Sequence, residues 1–127
     1  MSRHASLVRT IGRLVHNELG GGCSEQVYHN AFLVELRARC VPYESEVVVP
    51  ILYKGTQVGH VRADVVLEKT TVIELKAKAD LKKSDFLQLL SYLKHLKLEE
   101  GYLVNFAEDS CQISEYPERT KSVEKGE

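Results

Sequence analysis

Within the segment 62–77, RADVVLEKTTVIELKA, stand an aspartate, a glutamate and a lysine at Asp64, Glu74 and Lys76. If Glu68-Lys69-Thr70 joins two antiparallel strands, Leu67 pairs with Thr71, and counting back sets Asp64 opposite Glu74. Alternation then turns Asp64, Val66, Val72, Glu74 and Lys76 to one face and Ala63, Val65, Leu67, Ile73 and Leu75 to the other. The second face is apolar, and burying it fixes the register, because a slip of one residue would turn the charged set inward. Two adjacent carboxylates raise each other's pKa unless a cation lies between them, and hard oxygen ligands suit Mg²⁺ or Mn²⁺. One pleat beyond Glu74, Lys76 is placed to hold or help deprotonate a water that such a metal activates. On spacing alone the three residues serve at least as well as a surface ion-pair ladder, so companions elsewhere in the chain must decide.

The elements that would position these residues follow from periodicity. Leu7, Val8, Ile11, Leu14, Val15 and Leu19 recur at helical steps, and Gly20-Gly21-Gly22 ends that first helix. Ser24 caps a second helix running to about Arg39, with Val27, Ala31 and Val34 on one stripe and Tyr28, Phe32 and Leu36 beside it, both stripes seeking partners. From Val47 the texture is β-branched: strands through Val49 and Ile51–Tyr53, the turn pair Lys54-Gly55, then Val58–Val61, Ala63–Leu67 and Thr71–Ala77. A third helix spans Asp85–Lys97 on the apolar face Phe86, Leu89, Leu90, Leu93 and Leu96. Strands Tyr102–Phe106 and Gln112–Tyr116 follow. The pattern predicts one α/β domain over residues 1–116 and a loosely held polar tail over 117–127.

Two further clusters accompany the strand pair. Gly22-Cys-Ser-Glu25-Gln-Val-Tyr28 is a G-x-x-E-x-x-Y motif that puts Glu25 and Tyr28 on one side of the second helix. In Gln88-Leu-Leu-Ser-Tyr92, Gln88 and Tyr92 are one turn apart, opposite the Phe86, Leu89, Leu93 stripe, with Asp85 and His95 on the same polar side. Taken singly, each has a plain structural explanation. Glu25 suits a helix N-terminus, Gln88 a solvated position, and Tyr28 and Tyr92 core packing.

Taken together, and with LGGGCSEQVY, LYKGTQVGHVRAD, VIELKA, QLLSYLK and LVNF in order, the chain resembles the GxxExxY protein family, a branch of the PD-(D/E)xK nuclease superfamily, from about Leu14 to Phe106. The resemblance implies a restriction-endonuclease-like core, a central mixed sheet flanked by helices with an extra N-terminal helix. It implies a metal, Mg²⁺ or Mn²⁺, held by Asp64 and Glu74 with the backbone carbonyl of Leu75 as a further ligand, and Lys76 as the catalytic lysine. Glu25 resembles the superfamily's helical acid, reaching the metal directly or through water. Gln88 and Tyr92 resemble the Q-x-x-x-Y motif that braces the site or touches the substrate backbone. The activity implied is metal-dependent phosphodiester hydrolysis, with DNA as the expected substrate. The alternative is a catalytically silent module of the same fold that binds nucleic acid or serves as a subunit of a larger assembly. Restriction-type relatives often dimerise, so a homodimer is the assembly to test.

Composition bounds these expectations. Seventeen basic and eighteen acidic residues give a formal net charge of −1, so any nucleic-acid contact is local. Arg62, Lys54, Lys78, Lys82 and Lys83 are candidates for a basic rim, though lysines beside a helix start are commonly just solvated. The five histidines do not cluster as ligands, and the three cysteines lack the spacing of a zinc ribbon or disulfide framework. No apolar run approaches the roughly 20 residues of a membrane span and nothing resembles a signal peptide, so the sequence reads as a soluble, intracellular protein with no membrane partner.

Overall fold

The computed structural model describes residues 4–118; most of the expected polar tail, residues 119–127, lies outside the described residues. Its elements are α1 (Ala5–Leu19), α2 (Glu25–Ala38), β1 (Tyr43–Tyr53), β2 (Thr56–Leu67), β3 (Thr71–Lys76), α3 (Lys83–Leu96), β4 (Glu100–Phe106) and β5 (Cys111–Tyr116). The strands form one mixed sheet in sequence order, antiparallel except for the parallel pair β3–β4 that α3 connects. Helices α1 and α2 cover one face through Val8, Ile11, Val15, Tyr28, Phe32 and Leu36, packed on Val65, Leu67, Ile73 and Leu75. Helix α3 covers the other through Leu89, Tyr92 and Leu93, packed on Val66, Val72 and Leu103. No described helix is long and apolar enough to cross a membrane.

Two expectations about helix faces need correction. Only one stripe of α2 is fully buried, Tyr28, Phe32 and Leu36; of the other, Ala31 packs at the core margin whereas Val27 and Val34 face outward. On α3 the buried face is Asp85, Leu89, Tyr92 and Leu93, while Phe86 and Leu90 are exposed. Tyr92 therefore lies on the sheet side of α3, not opposite its apolar stripe, because the sheet beneath offers a polar cleft as well as an apolar surface.

The β2–β3 connection is the expected three residues, with Leu67 paired to Thr71, Val66 to Val72 and Val65 to Ile73. Glu68 and Lys69 both take positive φ, as a type I′ turn requires, and the Thr70 N–H donates to the Leu67 carbonyl at 2.9 Å. Strict alternation, however, fails at Asp64. Ala63 packs with Val66 on the α3 face, although it was expected beside Val65. On the facing strand the ladder passes from Ser45–Val65 to Val47–Ala63 with Glu46 between at φ 55°, and Val47 packs on the α3 side. Both strands thus reverse their faces in a local bend at the level of Asp64 with the register unbroken; the shift of register in this ladder lies further out, between Ile51 and Leu52.

Candidate active site

That bend creates the site. Past Val65 the β2–β3 ladder stops, and side chains take over from backbone partners: the Asp64 N–H donates to Glu74 Oε2 at 2.9 Å, and the Leu75 N–H donates to Asp64 Oδ2 at 2.8 Å. Each carboxylate is fixed by one oxygen, and its other oxygen carries no protein hydrogen bond among the described residues. An open cleft of about 430 Å³ surrounds them, lined by Glu25 from the first turn of α2, Arg62 and His60 from β2, Lys76 from β3, and Gln88 and Tyr92 from α3.

Glu74 is only 2% exposed and Asp64 partly so. Burial, and then the charge of Asp64, push the Glu74 carboxyl up to about 9 against the opposing pull of the Asp64 N–H and Lys76. Glu25 is raised too, by burial first and Asp64 second, with Lys76 pulling the other way. Tyr92 is pushed up to about 12 by burial, followed by the charges of Glu74 and Asp64. Three carboxyl groups therefore converge with too little protein positive charge to ionise them together. Among the described residues no three His, Cys, Asp or Glu side chains are gathered closely enough to enclose a metal. Asp64 and Glu74, each bonded to backbone of the other's strand, and Glu25 in the same cleft are oxygen donors of the kind a hard divalent cation takes while keeping most of its waters.

Lys76 is held from the α3 side, its Nζ donating to Gln88 Oε1 at 2.6 Å and lying 3.9 Å from Asp85. Asp85 is otherwise engaged, accepting from Lys78 Nζ at 2.9 Å and from the Lys82 N–H at 2.7 Å. Burial alone would raise the Asp85 pKa, but the Lys82 N–H and the ammonium of Lys78, with Lys76 beyond, outweigh it and hold the carboxyl low. Lys78, expected at a basic rim, is thus a structural partner of Asp85.

Of the residues expected from sequence, the cleft gathers Glu25, Asp64, Glu74, Lys76, Gln88 and Tyr92. Leu75 contributes backbone only, since its side chain belongs to the α1–α2 core. Tyr28 is not in the cleft. It is fully buried, stacks on Phe106 at 4.4 Å, donates to the Gly20 carbonyl at 2.6 Å and accepts from the Cys23 N–H at 3.1 Å. It therefore ties the glycine loop to the core and sets where α2, and so Glu25, begins. Gly21 is needed there because a Cβ would lie 2.4 Å from the Glu108 carbonyl oxygen. Arg62 and His60 are the lining residues that spacing alone undervalued. Arg62 was legible only as a candidate for the basic rim, since the reversal at Asp64 removes the alternation that would have related the two residues.

The sequence model of the PD-(D/E)XK nuclease superfamily matches residues 3–116. Among solved structures, that of SSO0001 superposes with a TM-score of 0.59 at 25% identity, covering 78% of this chain and 52% of that one. An alkaline exonuclease from Laribacter hongkongensis superposes with a TM-score of 0.54 at 12% identity, covering 99% of this chain and 76% of that one. The chain spans about half the length of SSO0001. No curated protein matches the sequence.

Proposed function

The chain belongs to the PD-(D/E)XK nuclease superfamily, with its restriction-endonuclease-like fold, and from that premise we propose that it is a divalent-metal-dependent nuclease acting on DNA. The observation that carries this reading is the Asp64–Glu74 pair: two carboxyl groups locked by each other's backbone surroundings, one buried and raised to about 9, each with a free oxygen toward a shared cleft. The protein supplies too little charge to ionise this pair, and a cation supplies it. Asp64 and Glu74 are the holding residues, with the Leu75 carbonyl as a further ligand and Glu25 acting through water. Mg²⁺ or Mn²⁺ bound there contributes positive charge at the scissile phosphate and acidifies water.

The chain's own groups do the rest. Lys76, steadied by Gln88, presents an ammonium to the attacking water or a phosphate oxygen. Tyr92 keeps its phenolic proton at working pH, so its hydroxyl is a donor available to a substrate at the α3 wall. The Gly22–Tyr28 motif and the role of Tyr28 in seating α2 support assignment to the GxxExxY branch. The name of the exonuclease neighbour accords with nuclease chemistry, though at that identity the likeness speaks to fold.

Residues 1–116 form the catalytic domain in this reading, which a panel of linear and circular duplex DNA, single-stranded DNA and RNA tests, each with Mg²⁺, Mn²⁺ or EDTA. Metal-dependent cleavage of DNA that Lys76→Ala and Asp64→Asn abolish is the expected result. Cleavage undiminished by Lys76→Ala, or none on any substrate despite binding, overturns the assignment, the latter in favour of a silent assembly module.

A further inference from the structure

Strands β1 and β2 are far longer than their neighbours need. The β2–β3 ladder covers only Val65–Leu67, yet β1 and β2 remain paired out to Tyr53–Thr56, so residues 47–62 form a two-stranded arm leaving the sheet beside the cleft. From the Val48–Arg62 pair to the tip is about five residues, or roughly 17 Å at strand rise. The arm's inner face is packed, with Val47 and Val61 against the α3 cluster. Its outer face is bare: Val48 is 61% exposed, Leu52 59%, and Val58 is comparably open at 62%. Register puts Arg62 beside Val48 and His60 beside Pro50 on that face.

Charge gives this surface a partner. Acidic residues outnumber basic ones in the chain as a whole, yet residues 47–62 carry Lys54, His60 and Arg62 and no Asp or Glu. Arg62 lines the same cleft as Glu25, Asp64 and Glu74, yet among the described residues it makes no hydrogen bond or ion pair. An exposed arginine that lines the cleft and is paired with no acid among the described residues is available to a further anion, and its planar fork matches phosphate.

We infer that the outer face of the β1–β2 arm docks duplex DNA, with Arg62 and His60 seating the backbone phosphate next to the one in the cleft. The inference rests on the nuclease reading for its substrate class. A two-stranded ribbon fits the roughly 12 Å major groove, where exposed aliphatic side chains meet thymine methyls. Single-stranded DNA would call for a row of stacking aromatics, and this face offers aliphatic residues instead. Edge-to-edge pairing with a second copy is opposed by Pro50 and the Glu46 distortion in the edge strand β1.

The test is equilibrium binding, by fluorescence anisotropy in EDTA, of a labelled duplex and of its single strand to the wild-type chain, Arg62→Ala, Arg62→Lys and Leu52→Glu. All substituted side chains are exposed, and circular dichroism melts check that each variant folds. Wild type should prefer the duplex. Arg62→Ala should weaken duplex binding roughly five- to tenfold and lower the salt slope by about one, while Arg62→Lys keeps the slope. Leu52→Glu should weaken it through repulsion in the groove. Unchanged affinity and slope in Arg62→Ala and Leu52→Glu overturn the inference, as does tighter binding of the single strand. So does a wild-type dimer that Leu52→Glu dissociates while DNA binding is untouched. Because no metal is present, the result is independent of cleavage: loss of duplex binding in these variants without any nuclease activity would sustain the arm and sink the nuclease reading.

Discussion

Strands β2 and β3 carry a polar cluster at each end, and the two are built on opposite principles. At the turn end, His4 reaches Glu68 Oε1 through Nε2 at 2.9 Å and Thr71 Oγ1 through Nδ1 at 2.8 Å. Thr71 donates to one oxygen of Glu100 and the Tyr102 hydroxyl donates to the other, both at 3.1 Å. Acid, imidazole and hydroxyls satisfy one another there, clamping the start of α1 to the β2–β3 turn and to β4. At the cleft end, Asp64, Glu74 and Glu25 converge with one oxygen of each strand carboxylate left open and one carboxyl raised to about 9. Buried polar groups that complete each other stabilise a fold, whereas those that leave the charge unbalanced are set to bind something.

The sharpest way to break this contrast is to exchange losses between the two ends. Asp64→Asn keeps an acceptor for the Leu75 N–H, so the fold should survive while cleavage falls about 10³-fold or more, roughly 4 kcal/mol in the barrier. Comparable cleavage by the variant in a single-turnover assay would show that the cleft is only structural. His4→Ala should do the reverse, costing about 1–3 kcal/mol in denaturant unfolding by removing the buried imidazole that joins Glu68 to Thr71, with turnover at low temperature retained. If His4→Ala abolished activity in folded protein, the division of labour would fail.

Ionic conditions sharpen the same comparison. Because the folded pKa of Glu74 lies above its unfolded value, the stability it permits is full below about pH 4.5 and is lost as pH rises toward about 9. Metal-free protein should therefore melt at progressively lower temperature across that window, and Glu74→Gln should flatten the slope. A cation at the carboxylates should reverse the effect, adding about 2–3 kcal/mol at a hundredfold excess over Kd, more at pH 8 than at pH 5. Calorimetric melts with and without Mg²⁺ decide it, and an equal shift in the Asp64→Asn variant would place the ion elsewhere. The smallest effect belongs to Tyr28→Phe. Losing the hydroxyl that joins Gly20 to Cys23 should cost about 1 kcal/mol or slightly more, with a modest fall in cleavage as Glu25 loosens.

Much of this architecture was legible in the residues. Helical periodicity and the Ser24 cap gave α2 within a residue at each end, and the Glu68-Lys69-Thr70 turn fixed the β2–β3 register, because both signals are local. Glu25, Gln88 and Tyr92, each with a plain structural explanation when taken singly, were singled out only through the family resemblance of the motifs together, and all three line the cleft. What spacing could not reveal was the reversal at Asp64, which depends on Glu46 of a strand eighteen residues earlier, and hence the packing of Ala63 with the α3 face.

The sequence by itself determined which groups are present and which neighbours share a turn or a strand pair, since those follow from backbone geometry over a few residues. Tertiary structure decided which faces are dry. It put Tyr92 toward the sheet and Val34 toward solvent, committed Lys78 to Asp85, and left Arg62 without an acidic partner among the described residues. Burial and charge compensation are sums over groups distant in the chain, so the raised carboxyl of Glu74 exists only once β2, β3, α2 and α3 have closed around it.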